Sequence, residues 1–358
     1  MEDMSLFTTG GADINFKDMT LGQLEELMLE LGEQKFRAKQ VYKWLFQRGV
    51  SSWEEMTDLP VDLRMRLKSM GNAGGLSVIN KQLSTQDGTR KYLFGLHDGN
   101  AVEGVLMSYR HGLTACVSTQ VGCRMACRLC ASSIEGLVRN LSCGEIYDQV
   151  LVMQRDIGER IGNIVLMGSG EPLDNYRNVI SFLKKINALE GLNIGYRHIT
   201  LSTCGLVPQI QNLGKEGIPI TLAVSLHAPN DGLRDFLVPI NKKYPLEELL
   251  PACREYAGKT GRRVTFEYAL ISKINDSPHL AKELAHKLKN MPCLVNLIPA
   301  NPVPERDIER PSKAIVNRFK NILEEHGINA TIRRELGADI DAACGQLRRR
   351  VLAGKSKV

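Results

Sequence analysis

From about residue 112 to residue 298, short β-branched runs alternate with amphipathic segments at a spacing of roughly 30 residues, and this alternation restricts the fold more than any other feature of the chain. The predicted strands are Leu113 to Ser118, Ile164 to Met167, Ile199 to Ser202, Thr221 to Ser225, Val264 to Leu270 and Leu294 to Ile298. Helical segments lie between them, and the first of these opens on a capping box formed by Ser142 and Glu145. Six such βα units predict an α/β fold with a parallel sheet and right-handed crossovers, either an open doubly wound sheet or a partial barrel.

Before this region the pattern is different. Thr20 followed by Gln23 predicts a capping box, and Leu21, Leu24, Leu27, Met28 and Leu31 form the apolar stripe of the helix it opens. A second helix is predicted from Phe36 to Gln47, stopped by Gly49, and a third from Val61 to Ser69 after Pro60. Alternation in Lys91 to Leu96, a turn at His97 to Asn100 and a second run from Ala101 to Met107 predict a β-hairpin. The expected organisation is a helical N-terminal domain (1–75), a β-hairpin linker (76–111), a core of six βα units (112–347) and a basic tail (348–358).

The chain has 358 residues, 43% of them hydrophobic and 24% charged, and no run approaches the roughly 18 apolar residues of a membrane span. With early acidic residues and no apolar leader core, it reads as a soluble cytoplasmic protein without a membrane role. The net charge of +6 supports an acidic partner only weakly. Its distribution is more informative. Lys35, Arg37, Lys39 and Lys43 crowd one helix, while Arg348, Arg349, Arg350, Lys355 and Lys357 make up the basic end.

Nine cysteines, an odd number unevenly spaced, argue against a disulfide framework and for reduced thiols with chemical roles. Cys123, Cys127 and Cys130 lie in one loop between the first predicted strand and the first long helix. Soft sulfur ligands at that density select zinc, copper(I) or an iron-sulfur cluster. A structural zinc site requires four protein ligands, whereas three cysteines on a [4Fe-4S] cluster leave one iron open. The other predicted strand ends carry small or polar groups: Gly168-Ser-Gly170-Glu171-Pro, Ser202-Thr-Cys-Gly, Ser225-Leu226-His227 and Asn301. In a parallel α/β array these face the same side as the cysteine loop.

The C-x3-C-x2-C spacing resembles the signature of the radical S-adenosylmethionine (SAM) superfamily, which implies a partial (βα)6 barrel, a [4Fe-4S] cluster on Cys123, Cys127 and Cys130, and SAM bound at the open iron. The resemblance then narrows. Gly337-Ala-Asp-Ile-Asp-Ala-Ala-Cys344-Gly-Gln-Leu347, Cys116 seven residues before the cluster loop, and Val102-Glu103 before that are similar to the RlmN/Cfr RNA adenine methyltransferases. By that resemblance Gly170, Glu171, Ser202, Ser225, Leu226, His227 and Asn301 contact SAM. Three positions depart from the family pattern: Gly104 where threonine is common, Leu129 in place of an aromatic, and Ser169 in place of methionine.

The family's chemistry follows from its target. Carbon 2 of adenine is not nucleophilic, so direct displacement on a methyl group fails there. The resemblance implies two SAM molecules per turnover, one methylating Cys344 and one generating the radical that activates that methyl group. It further implies that Glu103 removes the ring proton and that Cys116 attacks the Cys344 sulfur, forming a transient disulfide. The implied partners are 23S rRNA, tRNA and an electron donor such as flavodoxin or ferredoxin, with the enzyme acting as a monomer. The wording of the motifs favours the RlmN branch, with 2-methyladenine as product, over the Cfr branch, with 8-methyladenine. A radical SAM enzyme on a non-RNA substrate would leave Cys116, Cys344 and the basic N-terminal helix unused; a non-catalytic, zinc-stabilised RNA-binding protein is a third reading, which iron content in anaerobically purified protein would exclude.

Overall fold

A computed structural model describes residues 14–301, 308–340 and 342. Cys344 and the basic residues of the C-terminal end lie outside the described residues. The first described strand, β1 (Ile14–Asn15), pairs in parallel with β2 (Gly71–Asn72), and helices α1 (Leu21–Glu30), α2 (Phe36–Lys43) and α3 (Val61–Met70) lie between them in sequence. The Thr20/Gln23 capping box is present, satisfying two of the N–H groups that a helix start leaves without partners. After α2 the chain continues as a turn of π-helix, Trp44–Arg48, and ends on Gly49 in the left-handed conformation at φ 67°.

The strands that follow are β3 (Ser77–Leu83), β4 (Arg90–Gly95), β5 (Ala101–Tyr109) and β6 (Gly112–Cys116); then come β7 (Gln120–Gly122) and β8 (Leu137–Asn140). The remaining units are α4 (Cys143–Ile157), β9 (Asn163–Leu166), α5 (Tyr176–Asn187), β10 (Ile199–Thr203), α6 (Val207–Leu213), β11 (Thr221–Ser225), α7 (Asp231–Leu237) and α8 (Leu246–Thr260). They are completed by β12 (Val264–Leu270), α9 (Pro278–Leu288), β13 (Cys293–Pro299), α10 (Lys313–Glu325) and β14 (Ala330–Ile332).

Ten strands form one sheet in the order β14-β13-β12-β11-β10-β9-β6-β5-β4-β3. From β6 to β14 every pairing is parallel, as the βα repeat predicts, and β3, β4 and β5 extend the sheet by antiparallel pairing. Each of the six predicted strands is found with ends shifted by a few residues at most. Strands β3 and β14 were not predicted. All of β3 is exposed, and β14 has only three residues, so neither carries the apolar alternation that marks a half-buried strand.

The N-terminal helices are attached to the core by buried polar contacts. Lys17 forms a buried ion pair with Asp148 of α4. Lys185 Nζ donates to the carbonyl of Lys17 at 2.7 Å, and Tyr147 Oη donates to that of Phe46 at 3.2 Å. A buried cation is tolerated only when its donors are matched in this way. No helix among the described residues is long and apolar enough to cross a membrane.

Candidate active site

Strands β7 and β8 form a small antiparallel pair from which the Cys123–Cys130 loop projects. Its base is pinned by Gly122, at φ 76°, where a Cβ would stand 2.0 Å from the Gly136 carbonyl oxygen; the Cys123 N–H donates to that same oxygen at 3.0 Å. Further on, Ser133 Oγ lies 2.9 Å from the carbonyls of both Cys127 and Cys130, and the Arg128 N–H donates to Leu237 at 3.0 Å. The loop is therefore fixed by backbone contacts, which leaves its thiols available to one cavity.

That cavity is lined by all three cysteines together with Gly170, Glu171, Ser202, Ser225, His227 and Asn301. The structure thus brings every sequence-predicted cofactor residue except Leu226 to the same space. The Leu226 side chain is buried in the core, and its carbonyl accepts from Arg234 Nε at 3.2 Å. Burial pushes the Cys123 thiol up to about 12, and the neighbouring Glu171, Cys130 and Cys127 add to the shift. Burial and Cys127 raise Cys130 as well. Negative charge on these sulfurs therefore needs a cation among them, which is what a bound iron centre provides.

Each strand end has its own support. Gly170 has φ 105°, and a Cβ there would meet Gln120 Cβ at 2.6 Å, so the loop can lie on β7 only with glycine at this position. The Glu171 carboxylate accepts the N–H of Leu173 at 3.0 Å and of Cys204 at 2.8 Å, tying the second strand end to the third. Burial raises Glu171 against these hydrogen bonds. Arg234, fully buried, donates to Cys204 O at 2.7 Å and Ser225 O at 3.3 Å, joining the ends of β10 and β11.

His227 adopts φ 58°, and its Nδ1 accepts the Ala269 N–H at 3.0 Å. The ring proton of the neutral imidazole must then reside on Nε2. Burial, with Arg234 nearby, lowers this histidine to about 3, so it stays neutral. It is a hydrogen-bond donor in the wall of the cavity.

Several residues at the site carry no sequence signal strong enough to have singled them out. Cys204 lines the cavity, and a hydrogen bond to Cys127, followed by burial, pushes its thiol up. Glu267 and Arg333 also line it; burial raises the Glu267 carboxyl, while Arg333 and Asn296 counter that shift. Of the family departures, Leu129 lines the cavity. Gly104 is explained by packing, because a Cβ there would lie 2.6 Å from Met153 Cε and 2.9 Å from Phe94 Cε2.

A second cavity adjoins the first. It is lined by Val105, Met107, Cys116, Leu336 and Ala342 among others, and Met167, Ile298, Asn301 and Arg333 border both spaces. Cys116 is buried and clusters with Val105, Met107, Leu336 and Ala342. Glu103 lines neither cavity. It lies on the same strand face as Val105, which pairs directly with Cys116, and Lys91 Nζ stands 2.8 Å from its Oε1. No disulfide joins two of the described cysteines.

Sequence comparison agrees with this geometry. Residues 14–72 match the ribosomal RNA large subunit methyltransferase N-terminal domain, and residues 117–284 match the radical SAM superfamily. A probable dual-specificity RNA methyltransferase RlmN from Pelotomaculum thermopropionicum is 58% identical over 342 residues, spanning 95% of this chain and 93% of that protein. The protein of the same name from Desulforamulus reducens is 57% identical, spanning 94% of this chain and 96% of its own length. The chain belongs to the RlmN family of radical SAM methyltransferases. The crystal structure of a radical SAM methyltransferase from Sphaerobacter thermophilus superposes with a TM-score of 0.90 at 46% identity, covering 94% of this chain and 99% of that one.

The family's cofactors, a [4Fe-4S] cluster and SAM, suit the donor set. Three loop thiols share one cavity, which continues past them into a wall of glycine, hydroxyl, carboxylate and imidazole groups. Among the described residues no three His, Cys, Asp or Glu side chains converge as the ligands of a single ion would. A cubane makes no such demand, because each cysteine binds a different iron.

Proposed function

We propose that this protein methylates carbon 2 of an adenine in 23S rRNA and in tRNA through an S-methylated Cys344. The observation that carries the reading is the position of Ala342 in the Cys116 cavity, which borders the cofactor cavity. Cys344 follows Ala342 by two residues, a reach of at most ~7 Å along the chain. A methyl carrier at that point can serve a cofactor on one side and meet the Cys116 thiol on the other.

Held at Cys123, Cys127 and Cys130, the cluster and SAM supply the methyl group and the one-electron chemistry that a non-nucleophilic ring carbon requires. The protein's own residues do the rest. Gly170, Glu171, Ser202, Ser225, His227 and Asn301 orient SAM, with the backbone of Leu226 supporting the third of these strand ends. Cys344 carries the carbon to the adenine and becomes covalently joined to it. Glu103 accepts the ring proton, and the Cys116 thiolate attacks the Cys344 sulfur. The carbon-sulfur bond breaks, its electron pair passes to the carbon, which takes up a proton to complete the methyl group, and a disulfide forms between Cys116 and Cys344, leaving the methylated base free.

The exposed face of α2 supports RNA as the substrate. Lys35, Lys39 and Lys43 recur at every fourth position on that face, while Arg37 is engaged by Gln40 at 2.8 Å. The name shared by the relatives, dual-specificity RNA methyltransferase, favours two RNA substrates. Flavodoxin or ferredoxin is the class of electron donor the chemistry calls for.

The deciding experiment replaces each thiol separately. Cys344→Ala should yield neither product nor adduct, because the methyl carrier is gone. Cys116→Ala should co-purify with RNA joined to Cys344 through a bond that survives denaturation, and the double variant should be free of RNA. A fully active Cys116→Ala enzyme without covalent RNA overturns the roles assigned here. Nucleoside mass spectrometry of RNA modified by the purified enzyme should show 2-methyladenine; 8-methyladenine would place the chemistry at carbon 8.

A further inference from the structure

The turn between β3 and β4 grips the segment that leads to Cys344, from 250 residues away in sequence. Asp87 Oδ2 accepts the Gly337 N–H at 2.8 Å. In return, Asp339 Oδ2 accepts the Thr85 N–H at 3.0 Å and the Thr85 hydroxyl at 3.3 Å. Each partner in the contact thus supplies one carboxylate and one backbone donor, the charge-assisted pairing that is stronger than a neutral hydrogen bond.

Both sides are shaped for the grip. Gly337 has φ 65°, and a Cβ there would stand 2.7 Å from Ala342 Cβ and 2.9 Å from Thr89 Cγ2. The segment doubles back through this glycine, with the N–H groups of Ile340 and Ala342 donating to the Gly337 carbonyl at 3.2 and 3.0 Å. The turn needs no help to form, since Ser84 N–H donates to Thr89 O at 2.8 Å and Thr89 N–H to Asp87 Oδ1 at 2.9 Å. Leu336 and Ala342 then pack beside Cys116.

We propose that this two-carboxylate clasp positions the methyl-carrying arm, with Asp87 and Asp339 as positioning residues that set how often Cys344 meets Cys116. The inference rests on the reading of Cys344 as the methyl carrier. Its physical basis is chain entropy. Without the clasp, the last anchor before Cys344 is Leu336, about eight positions away, held in the Cys116 cluster beside the Arg310–Glu335 ion pair; with it, the anchor is Ala342, about two positions away. Loop-closure statistics put the gain in encounter frequency on the order of tenfold.

The test measures encounter directly. The full-length protein, holding its cluster but kept free of SAM so that Cys344 retains its thiol, is treated briefly and anaerobically with diamide, which takes two electrons and two protons from two thiols to form one S–S bond. The Cys116–Cys344 disulfide is then quantified by peptide mass mapping. Asp87→Ala and Asp339→Ala should each slow its formation, with the double variant slowed about tenfold, whereas Asp87→Asn, which keeps an acceptor oxygen, should stay near the parent rate. In turnover, the alanine variants should release more 5′-deoxyadenosine per methylated adenine. Their SAM affinity should be unchanged, since no clasp residue lines the cofactor cavity. A parent-like disulfide rate in both alanine variants overturns the proposal, as does failure of this disulfide to form in the parent protein. If the parent forms the disulfide at the expected rate but never methylates RNA, the reading of Cys344 fails and the clasp stands.

Discussion

Lys91 Nζ lies 2.8 Å from Glu103 Oε1, with both side chains almost fully buried on neighbouring strands. The carboxylate assigned the role of base thus faces a buried cation within the sheet. Removing one partner of a buried pair leaves the other uncompensated, at a cost of about 3–5 kcal/mol. Lys91→Met should therefore destabilise the fold by that order in denaturant titration. The Lys91→Met/Glu103→Leu double variant should recover much of the loss while remaining inactive. Equal destabilisation of the single and double variants would show that the pair is not coupled.

His227 should not titrate between pH 5 and 8. Its folded value, lowered to about 3 by burial and Arg234, lies below the ordinary value of 6.5, so the unfolded chain binds the extra proton first. Stability should accordingly fall as pH drops from about 6.5 toward 3, at no more than about 1.4 kcal/mol per pH unit from this group. Ring-nitrogen NMR should show the Nε2–H tautomer throughout the neutral range. A titration midpoint near 6.5 would refute the burial argument.

Replacing any one of Cys123, Cys127 or Cys130 by alanine should abolish cluster binding and SAM cleavage. Cys204 makes this a sharper test than the sequence suggested, because its thiol hydrogen-bonds to Cys127 and is the one further sulfur of a cysteine lining the cavity among the described residues. Iron content and the brown absorbance are the readouts. Full iron and activity in any single variant would mean that Cys204 had replaced the missing ligand.

Neutralising Lys39 and Lys43 together should weaken RNA binding and flatten its dependence on salt. For a lysine that neutralises one phosphate, its removal should reduce the slope of log affinity against log salt by about 0.7 on single-stranded RNA and about 0.9 on a duplex. Fluorescence anisotropy over a salt series measures this, and an unchanged slope would assign these lysines to ordinary solvation.

The sequence by itself determined the parallel βα core, because alternation with a period of two and of 3.6 residues reports directly which faces are buried. It also singled out the three loop cysteines and the strand-end residues that line one cavity, since chemistry that needs particular atoms at close spacing leaves them close in the chain. Strand β3 escaped detection because an edge strand with exposed faces has no alternation to display, and β14 because three residues are too few to show one. Only the tertiary structure decided what depends on distant partners. It buried Glu103 against Lys91, set the His227 tautomer through Ala269, and placed Cys204 beside Cys127. It also joined Asp87 to Gly337 across the sheet. None of these pairings has a period or a spacing, because each arises where separate elements come together in space.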